Sequence, residues 1–168
     1  MDNVVKINEA SDVKVSVTVK DKRPDTSRKV SAKKNGYGME MADIIANEDV
    51  SIIITKAIEE ELIARGFTIS DKDMLVNIVA DVTRFYNDHK LGFFSGDAIA
   101  DLNMSVVIKN KSNQIIYNKQ IACRGIEEHT QLATGKNAKL ALEKALQNGM
   151  KILFQDEKFI SSIIESKK

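Results

Sequence analysis

Hydrophobic and polar positions between Asn47 and Asn87 follow first one period and then another. Val50, Ile54, Ala57, Ile58 and Leu62 recur three and four residues apart, which sets them on one face of a helix. Lys56, Glu59, Glu60 and Arg65 fall off that stripe. Asp49 is placed to cap the helix, and Gly66 stands where the chain must enter the left-handed region to leave it. Phe67 follows, set to fold back on Leu62 or Ile63. Val76, Ile78, Ala80 and Val82 then alternate with Asn77, Asp81 and Thr83, the period of a strand with one buried face, which runs on to Tyr86.

The two-residue period recurs elsewhere. Residues 1–11 are polar and aperiodic and read as a loose lead. Val13, Val15, Val17 and Val19 alternate with Lys14, Ser16, Thr18 and Lys20, a β-branched strand with its valines on the core. It stops at Asp21-Lys22-Arg23-Pro24-Asp25, which holds the only proline. Asn35-Gly36 is a hairpin signal, and Met39, Met41 and Ile44 suggest a short return strand. Asn87 to Gly96 reads as a hairpin tip. Beyond it Ala98, Ala100, Leu102, Met104, Val106 and Ile108 form one strand face. After a turn at Asn110–Asn113, Ile115, Tyr117, Ile121 and Cys123 are expected on the inner face of another strand. From Asn137, taken as a cap, Leu142, Ala145, Leu146, Gly149, Met150 and Leu153 give a second amphipathic helix. Gly149 costs that helix about 1 kcal/mol against alanine unless close packing on the sheet requires a small residue. Phe159, Ile160, Ile163 and Ile164 predict a short last helix. The expected fold is a single α+β domain: a mostly antiparallel β-sheet, two main helices packed on one face and a short C-terminal helix.

Composition adds little. With 168 residues, 43% hydrophobic and 29% charged, the chain can bury a core without staples. A net charge of +1 selects neither nucleic acid nor an anionic surface. Cys123 is the single cysteine and cannot pair internally; inside a strand, it reads as a small core residue. No apolar run approaches the roughly 20 residues of a membrane helix.

Candidate chemistry is thin. Lys20 to Lys34 carries seven basic residues against two acidic ones. Lys22, Arg23, Arg28, Lys29, Lys33 and Lys34 are either a phosphate-binding patch or a solvated hairpin whose edge lysines prevent aggregation. No aromatic platform is interleaved with them, which favours the hairpin. Phe93 and Phe94, between glycines, are either a partner-contacting tip or rings folded back over the sheet. Thr134-Gly135-Lys136 fails as a phosphate loop, because Thr130 stands where glycine is needed and Asn137 where Ser or Thr is needed. His89 and His129 lack paired ligand spacing, so no metal is assigned. No catalytic residue and no cofactor site is identified, and Glu59-Glu60-Glu61 reads as a solvated helix face.

The order of elements resembles the YajG-type family of bacterial outer-membrane lipoproteins. The features that carry the likeness are the valine strand running into Asp21-Lys22-Arg23, Asn35-Gly36, and the helix ending Ala64-Arg65-Gly66-Phe67. Ala100-Asp101-Leu102, the Asn110–Asn113 turn, the long helix reaching Gln155-Asp156 and the terminal Phe159-Ile160 complete it, from about Val13 to Ile164. The resemblance implies a non-enzymatic envelope domain on the periplasmic face of the outer membrane, touching the membrane only through a lipid anchor. It further implies that Met1 stands in place of a signal peptide and anchor cysteine. Residues 1–12 would then be a flexible tether and 13–168 the domain. Its partners would be envelope proteins, met through an exposed strand edge or the Phe93–Phe94 tip. The alternative is a cytoplasmic nucleic-acid-binding module using the basic 20–34 hairpin.

Overall fold

A computed structural model describes residues 6–7, 10–90, 92, 96–130 and 132–167. Among these residues seven strands and three helices follow in the order β1 (Lys14–Asp21), β2 (Lys29–Lys34), β3 (Glu40–Ile45), α1 (Val50–Ala64), β4 (Thr68–Ile69), β5 (Val76–Lys90), β6 (Gly96–Asn110), β7 (Ile115–Thr130), α2 (Gly135–Phe154) and α3 (Glu157–Glu165). The main sheet has the order β4-β1-β5-β6-β7, while β2 and β3 form a separate two-stranded sheet. β5, β6 and β7 are an antiparallel meander of long strands, and β1 lies parallel to both of its neighbours. This is the expected single α+β domain, with the helices packed on one face of the sheet.

The core lies between that face and the helices. Val50, Ile54, Ile58 and Leu62 of α1 are buried with Val13, Val15 of β1 and the even-numbered face of β6 from Ala98 to Ile108. Val17 and Val19 pack on it partly buried. α1 ends as predicted. Gly66 has φ +98°, its N–H donates to Ile63 O (2.9 Å), and Phe67 N–H donates to Leu62 O (3.1 Å), so two terminal carbonyls are satisfied as Phe67 turns inward. Asp49 holds the N-cap position but makes no side-chain capping bond. A Cβ on Gly66 would meet nothing closer than 3.8 Å, so Gly66→Ala should lose about 1 kcal/mol through backbone strain alone. Gly36→Ala, with open space and no positive φ, should be neutral. Denaturant titration of the two variants checks this pair.

Several elements depart from the sequence pattern. Between Val82 and Arg84 the β5–β6 register slips by one residue, so Phe85, Asn87 and His89 face inward where even-numbered residues did before. Residues 87–90, read from sequence as part of a hairpin tip, are strand. Their inward positions are polar, which hid the alternation. Phe93 and Phe94 lie outside the described residues. Ile115, expected on the inner face, is 60% exposed at the start of β7. The β2–β3 turn is present, but its left-handed residue is Gly38, with the Asn35 side chain accepting from the N–H groups of Tyr37 and Met39. α2 begins before Asn137: Thr134 Oγ1 caps it by accepting from Asn137 N–H at 3.4 Å.

Gly149 sits against Leu102 and Cys123, so the small residue is there for close packing. Within the 1–12 lead, Ile7 N–H donates to Arg65 O and Ala10 is fully buried.

Candidate functional site

The feature that most invites a partner is the β2–β3 hairpin. β2 turns Val30, Ser31 and Ala32 into the protein. Among the described residues β3 pairs only with β2, so its outer edge carries backbone groups with no described strand beside them. Met41, at 67%, and Ile45 stand exposed on it, and Tyr37 and Met39 stand exposed in the turn that leads into it. Isolated exposed apolar side chains are ordinary, but four within nine residues on and just before an unpaired edge are a patch. Behind β3 a groove of about 600 Å³ opens towards α1 and α2. Val30, Ile44, Ile53, Leu142 and Leu146 line it, with Glu48, Lys139 and Glu143 among its polar groups. An apolar wall with a few polar groups is the usual make-up of a binding cleft.

The basic residues of 20–34 are distributed by their partners. Lys22 pairs with Asp81 at 2.6 Å, Lys29 with Asp43 at 2.8 Å and Glu40 at 3.5 Å, and Lys34 with Asp88 at 2.5 Å. Arg28 donates to the Asn47 carbonyl. Arg23 is buried: it binds Asp21 and donates to the carbonyls of Ser27 and Lys29, which ties down the β1–β2 connection. Lys33 lies exposed on β2. These side chains cross-link the hairpin to β5 and to the chain around it. Four of the acidic partners, Glu40, Asp43, Asp81 and Asp88, lie outside the 20–34 stretch, so sequence counting could not pair them.

Sequence reading also passed over a buried polar cluster under the hairpin. Asn87 Nδ2 bonds Ser31 Oγ at 2.9 Å and lies 3.3 Å from His89 Nε2, with all three residues buried. Asn87 Oδ1 and His89 Nδ1 have no hydrogen-bond partner among the described residues. Burial pushes the His89 pKa below the ordinary imidazole value; Asp88 opposes this and Lys34 adds to it. The folded state therefore binds this proton less readily than the unfolded chain. The stability His89 contributes as a neutral group is present above about pH 6.5 and is lost as pH falls below it. Melting temperature should drop from pH 7 to pH 5, and His89→Gln should flatten that slope. An unchanged slope would place the titration elsewhere. His129, on β7, is exposed with φ +58°, and β6 separates the two histidine-bearing strands.

Cys123 is half-buried against α2, its thiol 3.3 Å from the Ala145 carbonyl, and burial pushes its pKa up. That suits a packing residue better than a nucleophile. Among the described residues no helix is long and apolar enough to cross a membrane.

Comparison with known proteins agrees with this architecture. The chain is similar to a crystal structure of protein XCC0632 from Xanthomonas campestris, with TM-score 0.65 and 11% identity over 98% of this chain and 95% of that one. It is also similar to the crystal structure of an uncharacterized protein, with TM-score 0.51 and 10% identity over 83% of this chain and 89% of that one. At these identities the likeness establishes the fold alone. No curated protein matches the chain in sequence. The pattern of one family, described as uncharacterized lipoprotein, matches residues 3–163, nearly the whole chain. The chain belongs to that lipoprotein family.

Proposed function

We propose that this chain is the folded domain of a lipid-anchored protein of YajG type, held at the periplasmic face of the bacterial outer membrane, that works by protein contact rather than catalysis. Family membership supports the lipoprotein part. The observation that carries the contact part is β3, an edge strand with no outer neighbour among the described residues, with Met41 and Ile45 exposed on it and Met39 exposed just before it. Such an edge accepts a strand from a partner through main-chain bonds while neighbouring pockets read alternate side chains, and the groove behind β3 is such a pocket. Phe93 and Phe94 belong to the same proposal as a second contact, with Phe93→Ser plus Phe94→Ser as the probe.

A photo-crosslinking residue at Met41, in the full-length protein in its native envelope, should yield one discrete adduct. The same residue at Ser161 on α3 should not. Met39→Ser with Ile45→Ser should abolish the adduct and leave the melting temperature within about 2 °C, as expected for exposed positions. No adduct at Met41, or equal adducts at both sites, would overturn the contact reading.

A further inference from the structure

The sheet face turned away from the helices carries a second built feature, on the central rows of β5, β6 and β7. Asp101 of β6 faces Arg124 of β7 in register, and Arg84 of β5 faces Asn103 of β6 one row along. Both arginines converge on the one carboxylate. Arg84 Nε donates to Asp101 Oδ2 at 3.0 Å, and Arg124 Nε donates to Asp101 Oδ1 at 2.7 Å. Burial raises the Asp101 pKa, but the bonds from Arg124 and Arg84 outweigh it and hold the carboxyl below its usual range. One negative charge thus orients two positive ones, leaving the cluster with an excess cation.

The bonding leaves the donors facing outward. Each guanidinium spends only its ε nitrogen on Asp101, and among the described residues no protein acceptor meets the four η nitrogens. Arg84 and Arg124 are 46% and 64% exposed at the side chain. The Asn103 side chain, also without a hydrogen-bond partner among the described residues, lies beside them, and Ala122 keeps the floor low. The result is a depression of about 510 Å³ lined by Arg84, Asp101, Asn103, Ala122 and Arg124. Guanidinium forks match the oxygens of a tetrahedral oxyanion, and two forks fixed by a shared carboxylate are ordered before the ligand arrives. Next to them Tyr86 lies 5.9 Å below the Arg84 guanidinium, and Ile126 is exposed on the same face.

We propose that Arg84, Arg124 and Asn103, positioned by Asp101, form a binding site for a phosphate group on the open face of the sheet. The group arrives either as free phosphate or as the headgroup of an anionic lipid. The site lies on another sheet from β3 and stands independently of the contact reading.

Two probes separate the sources. Inorganic phosphate is titrated while the backbone amide resonances of Asp101, Asn103 and Ala122, which line the depression, are followed by NMR, and co-sedimentation is measured with phosphatidylcholine vesicles with and without phosphatidylglycerol. Each is repeated with Arg84→Gln, Arg124→Gln, the double variant, and Lys111→Gln, an exposed charge in the β6–β7 turn. Saturable shifts of these amide signals with phosphate, weakened about tenfold or more in the double variant and unchanged in Lys111→Gln, support the site and assign it to free phosphate. Co-sedimentation that needs phosphatidylglycerol and both arginines, without a phosphate response, supports it and assigns it to the headgroup. Should the double variant fail to fold, Arg124→Gln alone, at the more exposed position, carries the comparison. Binding in neither assay, or binding weakened as much by Lys111→Gln as by the arginine variants, overturns the proposal.

Discussion

Gly125→Ala should destabilise the protein by at least about 3 kcal/mol, at or above the top of the usual range for overpacking. Gly125 lies on the inner face of β7, opposite Ala100 of β6, where α2 crosses the sheet. A Cβ there would stand 2.1 Å from Ala141 O and 2.2 Å from Ala145 N. Both are backbone atoms of α2, so no rotamer change relieves the clash and the helix must lift. Lifting it disturbs Ala141, Leu142, Ala145, Met150, Leu153 and Phe154, all in the core. It also strains two side-chain ties that cover the β7 edge: Lys144 Nζ to Ile126 O at 2.8 Å and Asn148 Nδ2 to Arg124 O at 2.7 Å. For a domain of this size the loss corresponds to a melting temperature lower by about 6–12 °C. Gly125→Val should not fold. A Gly125→Ala melting point within 2 °C of the parent would mean that α2 does not lie this close to β7.

Phe159→Ala should cost about 3–5 kcal/mol, the usual range for deleting a fully buried aromatic ring. Phe159 docks α3. Its ring meets those of Tyr117 and Phe154 edge-on, with centroids 5.3 and 5.2 Å away. The turn before α3 is fixed by Asp156, which caps the helix through Lys158 N–H and accepts from Tyr117 OH at 3.0 Å and Lys119 Nζ at 2.6 Å. Burial and the neighbouring Asp156 carboxylate push the Tyr117 hydroxyl well above its ordinary pKa, so it remains a donor throughout the accessible pH range. Thermal denaturation of Phe159→Ala beside Phe159→Leu should show a large loss in the first and a partial one in the second. Equal, small losses would mean that α3 contributes little to the core.

The sequence made the apolar skeleton legible. β6 alternates without interruption from Ala98 to Ile108, and every inner residue is buried. The α1 stripe and the Gly66-Phe67 stop are local signals, since a helix period and a left-handed residue depend on neighbours in the chain. What escaped is set by tertiary contact. The slip at Thr83 reverses the inward parity of β5, and the polar Asn87 and His89 that then face inward look like loop residues. The lysines of 20–34 look like a patch until Asp43, Asp81 and Asp88 arrive from β3 and β5. Met41 and Ile44 are legible as a strand, which begins after Met39, but the exposure of Met41 depends on β3 having no second neighbour among the described residues. Arg84, Asp101 and Arg124 are scattered over three strands and meet only through register.

The most direct test of the envelope reading uses the natural gene with whatever lies upstream of Met1, expressed in a bacterial host. The cells are fractionated and the mass of the mature amino terminus is determined. The account predicts protein in the outer-membrane fraction whose first residue is an acyl-modified cysteine. Soluble protein beginning at an unmodified Met1 would contradict it.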